Sequence, residues 1–558
     1  MTVEVDPLVC ARVSSRSRTS DAAEGIRDDR RSRERPCGSA DQRALAERLI
    51  AIANQWLWCG AIGLAALGVA VVPLPVVITS GRVQVDALTI AERRPVARQA
   101  SSRWPEPPWI ASLRSLWIAF GAVHAWLVLV GVVLIPRKAF SDLVLYRSWV
   151  GLGLDRGAWP VFDGPSVYPV GALAPMIIPT VITTTSTVVY ALGWCALITA
   201  LDAIAVRALV RRGGARGAWW WLAFLLLLGP VAMGRIDAFV APLVIVALLV
   251  AVRRPRVAAA LITVGAWIKV APGVLILPLV MIVRRPMRDV VVPAALVCAG
   301  IVGAVAAGGG FRYVASFLTA QDARGLQVEA VAASPWVLAA QVRNDIAVVL
   351  NVKLATWEII GPGTATAARA LDIVLPLAVT GLAWLIWRAR ARPLDVLTWG
   401  PLALATLLIV MNKVGSPQYI GWLAPPIAVA LALATRMPEP GATPAGPTPA
   451  CLTRVAVLVL AIAALTQVVF PLMYRSLLTG NALIAVVLVA RNVGLVALLV
   501  LVCTQLARGG RTSTAPIPAA SGVHGEGWGL APTDGRNRRV HRRRRPAVRS
   551  AGQDLLHS

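Results

Sequence analysis

The feature that most limits what this chain can become is a series of apolar stretches, most about 20 residues long, set between clusters of arginine. A helix needs about 20 apolar residues to cross the hydrocarbon core of a bilayer. Stretches of this kind lie at about 112–136, 172–206, 217–252, 257–283, 289–307, 368–388, 394–411, 418–435, 452–473 and 481–505. Hydrophobic residues make up 57% of the 558 and charged residues 15%. A water-soluble fold could not enclose so much apolar surface, so lipid must solvate most of the chain. The fold class expected is all-α: a polytopic bundle of about 12 spans.

The arginine clusters orient the bundle. Arg207, Arg211 and Arg212 end one run; Arg253, Arg254 and Arg256 end the next. Arg284 and Arg285 follow, then Arg388, Arg390 and Arg392. Short cytoplasmic loops carry an excess of Lys and Arg. With 112–136 starting inside, alternate crossings bring nearly every cluster to the cytoplasm and put 137–171, 308–366 and 412–417 outside. The stretch 217–252 reads as two short helices broken at Gly234-Arg235-Ile236-Asp237. The stretch 257–283, broken by Lys269 and Pro272, reads as a hairpin with Lys269 near its outer tip. Such interrupted segments are tolerated only where they line a protein cavity.

The ends differ from this core. Residues 1–48 form a polar, charged tail expected to be disordered and cytoplasmic. No apolar stretch of signal-peptide type follows the start. Residues 49–110 comprise an apolar segment at 49–79, read as a surface, re-entrant or added segment, and a polar linker. The core runs from 111 to 506, and residues 507–558 form a second basic tail. The net charge of +27 is explained by these tails and the cytoplasmic loops, so the expected partner is the lipid bilayer and not nucleic acid. Seven cysteines form no CxxC pair, and no cluster has metal-ligand spacing. There is no P-loop, GxGxxG, HExxH or DxD motif, so neither a nucleotide donor, a metal nor any other cofactor is expected.

Ionisable groups at the membrane edge are costly and point to function. Asp142 lies about six residues beyond the first long run, where a carboxylate can take a proton from an attacking hydroxyl; it also suits a helix cap or a local pair with Arg147. Arg235 and Asp237 fit a substrate site or a mutual salt bridge. Lys269 fits a phosphate anion or a snorkelling side chain. Arg324, Gln327 and Glu329 offer the fork, amide and carboxylate that suit sugars and phosphates. Asn412, Lys413, Gln418 and Tyr419 form a turn with more hydrogen-bonding groups than a linker needs. His124 and the Arg491-Asn492 pair lie inside apolar runs, with Arg491 facing the bundle interior or a lipid-phosphate path.

Together these motifs resemble the polyprenyl-phosphate-mannose-dependent mannosyltransferases of glycosyltransferase family 87, in the membrane-embedded GT-C class. The matching pieces run in order: Asp142 with Tyr146 and Arg147, Tyr168-Pro169, Lys269 with Pro272, Arg324-Gly-Leu-Gln327-Val-Glu329, Asn412-Lys413 through Gln418-Tyr419, and Arg491-Asn492. The resemblance spans about 112–505. It implies a helical bundle whose extracytoplasmic loops form the active site, in a multi-pass protein of the plasma membrane. It also implies a polyprenyl-phosphate-mannose donor, a glycolipid or glycan acceptor and an inverting reaction. Asp142 then takes the role of general base. Arg147, Lys269, Arg324, Lys413 and Arg491 are candidates for the donor phosphate; Tyr146, Tyr168, Asp237, Gln327, Glu329, Asn412, Gln418 and Tyr419 are candidates for the sugars. Two departures stand out: Val170 follows Pro169 where relatives often have a second proline, and Arg235 and Asp237 stand where they often carry Gln and Asn. Read from residues alone, a transporter or lipid flippase is the alternative, since broken helices and buried charges also suit alternating access. So is a transferase of the same class using another lipid-linked sugar.

Overall fold

A computed structural model describes residues 112–319, 324–352, 354–434 and 447–511. The expected N-terminal tail, the segment 49–79 and residues 512–558 lie outside these residues; residues 507–511, expected to begin the disordered C-terminal tail, instead continue the last helix. What is described is an almost wholly helical, polytopic membrane protein.

Among the described residues, seven helices are long and apolar enough to cross a bilayer unaided: α1 (Leu113–Leu134), α4 (Thr187–Gly213), α9 (Met287–Ala307), α10 (Thr364–Arg388), α11 (Pro393–Val410), α13 (Pro449–Leu472) and α14 (Ala482–Arg508). A further helix, α2 (Ser141–Arg156), is less apolar and follows α1. Six shorter apolar helices accompany them among the described residues: α3 (Val170–Val181), α5 (Arg216–Ala232), α6 (Asp237–Val250), α7 (Pro255–Ile268), α8 (Ala271–Ile282) and α12 (Pro417–Leu433). At about 1.5 Å per residue these are too short for the full hydrocarbon thickness.

The breaks follow local chemistry. Proline stands in the first turn of α7, α11, α12 and α13, where its missing N–H has no intrahelical partner to lose. α5 tightens to a 3-10 turn over Gly229–Ala232, and the break before α6 falls at Gly234-Arg235-Ile236, as expected. Lys269 leaves helical geometry at the end of α7, and Pro272 starts the returning half, so the expected hairpin forms. The run 172–206 is not one span. It divides into α3 and α4, with Ser186 capping α4 by accepting from the N–H of Val189 at 3.3 Å. A run of Thr183, Thr184, Thr185 and Ser186 favours such a cap over a continuing helix.

Two features differ from the expected pattern. The long loop after α9 contains an antiparallel hairpin, Ala347–Asn351 (β1) with Thr356–Ile360 (β2), in the register Val349 opposite Glu358. And the apolar helices are not equivalent. In α11, 78% of the apolar window is buried inside the protein; in α10 it is 17%. The bundle therefore has a packed centre around α11, α6 and α12, and a rim whose large apolar side chains, such as Leu296 and Leu377, face outward as lipid contacts.

Candidate functional site

The loops assigned to one side by arginine counting meet in the structure. Asp142 stands in the first turn of α2 and forms an ion pair with Arg235 from the α5–α6 turn. The Asp142 side chain keeps 25% exposure, while that of Arg235 keeps 8%. The carboxylate is thus held from one side and open on the other. The hydroxyl of Tyr146, one helical turn along, points to Asp142 Oδ2 at 3.5 Å and accepts the N–H of Ile236 at 3.3 Å. Burial, then the neighbouring Tyr168 and Asp142, push the Tyr146 phenol well above its usual pKa, so it stays a proton donor. Gly234 permits the close approach: a Cβ there would overlap the ring of Phe140 and crowd the carbonyl of Ala139.

A second ion pair lies beside the first. Lys269 Nζ is 3.5 Å from Asp237 Oδ2, and Asp237 Oδ1 accepts from the indole of Trp422 at 2.7 Å. The ammonium lies over the rings of Tyr168 (4.9 Å) and Tyr419 (5.4 Å), a cation–π cage. The Tyr419 ring stacks on Trp422 at 4.3 Å, and Tyr168 meets Tyr146 and Trp149 edge-on, each at 6.1 Å. Asp237 therefore does not pair with Arg235, although a single residue separates them. At the turn the two side chains diverge, each to a partner on another loop.

A third group adjoins these. The Arg235 guanidinium lies 5.7 Å from the centre of the Phe470 ring, Phe470 packs edge-on against Tyr474, and the Tyr474 hydroxyl donates to Glu329 Oε2 at 3.5 Å. Glu329 is buried, and its Oε1 has no hydrogen-bond partner. Burial, only partly offset by Arg491 and Arg235, raises its carboxyl to about 7. Arg491 reaches from α14 to the carbonyl of Glu329 at 2.5 Å and to Asn492 Oδ1 at 2.6 Å. Asn492 in turn donates to Ser334 Oγ at 2.8 Å. Gln327 Oε1 accepts the N–H of Gly415 at 3.1 Å, and the N–H of Gln327 donates to the carbonyl of Lys413 at 3.0 Å. At Gly415 any Cβ would collide with the backbone of Glu329 and Ala330, so this turn packs backbone to backbone.

Of the residues singled out from sequence, Asp142, Tyr146, Tyr168, Asp237, Lys269 and Tyr419 converge directly. Gln327, Glu329, Lys413 and Arg491 form the adjoining scaffold. Lys413 Nζ donates to Asp372 on α10 at 2.9 Å. Asn412 Oδ1 accepts from the N–H of Val414 at 2.8 Å, shaping its own turn. Gln418 lines a small cavity with Asp237. Arg324 is partly buried, with an Nε that has no hydrogen-bond partner. Arg147 does not pair with Asp142; it donates to the carbonyl of Thr184 at 3.0 Å. His124 lies apart, bonded through Nε2 to Asp202 at 3.1 Å between α1 and α4. Sequence reasoning placed Arg235 in a substrate site or a salt bridge with Asp237, not against Asp142, and did not single out Trp422, Phe470 or Tyr474. The first was signalled by a charge in an apolar hairpin turn; the aromatics had no local signal. Among the described residues, no group of three or more His, Cys, Asp or Glu side chains is arranged to hold a metal ion.

The model of glycosyltransferase family 87 matches residues 167–417, from just before Tyr168 to the start of α12. That segment of the chain matches glycosyltransferase family 87. No curated protein and no solved structure matches the chain. The family 87 segment includes Tyr168, Arg235, Asp237, Lys269, Arg324, Gln327, Glu329, Asn412 and Lys413. Asp142, Tyr146 and Arg147 precede it, while Gln418, Tyr419 and Arg491 follow it; the fold joins them to the matched part. The protein is a membrane glycosyltransferase of GT-C type, and this decides between transferase and transporter.

Proposed function

We propose that this glycosyltransferase moves a hexose, with mannose the leading choice, from a polyprenyl-phosphate donor to a hydroxyl of a glycolipid or glycan acceptor at the extracytoplasmic face of the plasma membrane. The observation that carries the reading is the Asp142 carboxylate, open on one side and flanked by Arg235, Lys269 and a layer of aromatic rings. A lipid-linked donor reaches such a site sideways through the bilayer.

The chemistry is a single displacement. The acceptor oxygen forms a bond to the anomeric carbon as the bond from that carbon to the phosphate oxygen breaks. The bonding pair leaves with the polyprenyl phosphate, and the acceptor proton passes to Asp142. Attack opposite the leaving group inverts the anomeric configuration. Tyr146 and the nearby cations orient and stabilise the changing charges, which preorganised groups do without reorganisation in the transition state. Tyr168, Tyr419 and Trp422 offer faces on which a sugar ring can stack.

The test is transfer from labelled polyprenyl-phosphate mannose in membranes containing wild type or Asp142→Ala. A labelled glycolipid or glycan made by wild type alone is expected. Equal product from both would overturn Asp142 as base. No product from wild type across a panel of acceptors would reject the mannose donor.

A further inference from the structure

We propose that Arg235 is a mobile ligand of the donor phosphate: it holds Asp142 before the reaction and shifts onto the phosphate as the reaction moves negative charge from one to the other. This rests on the polyprenyl-phosphate reading above and deepens it.

The argument begins with charge. Four ionisable side chains meet here, Asp142, Arg235, Asp237 and Lys269, and they pair two by two, each carboxyl group with a cation. A donor phosphodiester adds one negative charge, and an anion in a buried site must find a cation. The two nearby cations are already engaged, so one must be shared.

Geometry distinguishes them. Lys269 is enclosed by the rings of Tyr168 and Tyr419, and its partner Asp237 is itself anchored by the Trp422 indole at 2.7 Å. Arg235 is the more closely paired of the two, yet it keeps donors to spare. Its guanidinium meets Asp142 and, at 3.5 Å, Ser141, while one face lies on Phe470, which takes none of its N–H groups. Arg235 is 93% buried, 7% remaining exposed, and its Nε has no hydrogen-bond partner. A planar fork of five donors can keep one contact while making another, and its geometry suits both carboxylate and phosphate.

The reaction supplies the reason to move. Before transfer the Asp142 carboxylate and the phosphodiester carry one negative charge each. Afterwards Asp142 has the acceptor proton and is neutral, and the released phosphate monoester carries both charges. Total charge is unchanged, but it has passed from Asp142 to the phosphate. A guanidinium between them follows it, favouring the carboxylate first and the leaving group later.

The experiment measures binding of a polyprenyl phosphate to the detergent-solubilised full chain, with the matching polyprenol and inorganic phosphate as controls. Compared are wild type, Asp142→Asn, Arg235→Gln and the double variant, each checked by thermal melting. Releasing Arg235 from its carboxylate in Asp142→Asn is expected to tighten polyprenyl phosphate binding about tenfold, and adding Arg235→Gln to weaken it again by a similar factor. Should Asp142→Asn not assemble, Asp142→Ser makes the same comparison. Equal binding by Asp142→Asn and Asp142→Asn/Arg235→Gln would mean that Arg235 serves only Asp142, and would overturn the proposal while leaving the donor reading intact. If wild type binds polyprenyl phosphate no better than polyprenol, the donor reading itself fails and this inference with it. Inorganic phosphate showing the full pattern would replace the lipid-linked ligand by a free one and also overturn the proposal.

Discussion

Two polar groups adjoin one another in this bundle and use the same residue types differently. Around Glu329, Gln327, Arg491 and Asn492, side chains tie loops through backbone groups: Arg491 donates to the Glu329 carbonyl, Gln327 accepts the Gly415 N–H, and Asn492 donates weakly to the Ala330 carbonyl, beside side-chain bonds from Asn492 to Ser334 and from Arg491 to Asn492. Around Asp142, Arg235, Asp237 and Lys269, charges meet other charges and aromatic faces, and Arg235 Nε remains without a hydrogen-bond partner. A buried polar residue bound to backbone fixes a loop. One bound to another side chain can exchange its partner for a ligand. Burial and charge do not separate the two cases; the identity of the partner does.

The sharpest way to break this comparison is to remove the open carboxylate. Asp142→Asn should lower turnover by about 10²–10⁴-fold, the usual worth of a general base, with little change in melting temperature. A large loss of thermal stability in that variant would move Asp142 into the scaffold. Arg491→Met should do the reverse, leaving the Glu329 carbonyl unbonded and costing about 3 kcal/mol of stability, read as a lower melting temperature in detergent.

Glu329 tests the border between the groups, because its backbone is tied down while half its carboxyl is unused. Its folded value of about 7 lies above the ordinary 4.5, burial being the main cause. Between these values the folded chain holds more proton than the unfolded one. The stabilisation is therefore fully present below about pH 4.5 and lost as pH rises through 7. Wild type should lose about 2 kcal/mol between pH 5 and 7 from this group, and Glu329→Gln should flatten that slope in pH-dependent melting curves. The smallest effect is expected at Asp372→Asn. Its side chain is 38% exposed, so weakening its bridge to Lys413 should change stability by about 1 kcal/mol or less.

Much of the architecture was legible in the amino-acid order. Apolar runs located the long helices, arginine clusters grouped the loops by side, and Lys269 with Pro272 marked the tip of a hairpin that the structure contains. The site was legible in part. Asp142, Tyr168, Asp237 and Lys269 were conspicuous as polar groups at the edges of apolar runs. Their pairing was not, because Arg235 is separated from Asp237 by one residue yet pairs with Asp142 in a different loop. The split of 172–206 into α3 and α4, and the β1–β2 hairpin, were also missed, since neither interrupts hydropathy strongly.

Sequence by itself determined that this chain lives in lipid, roughly where it crosses, and which loops gather on one side. Hydropathy suffices for that, because transfer into hydrocarbon depends on composition over a turn-by-turn window. Only the tertiary structure decided which apolar helix is core and which is rim, and which charge meets which. In a bilayer both the interior and the outer surface are apolar, so α10 and α11 read alike although one faces lipid and the other is enclosed. And a charge chooses its partner by distance in space, which packing alone sets.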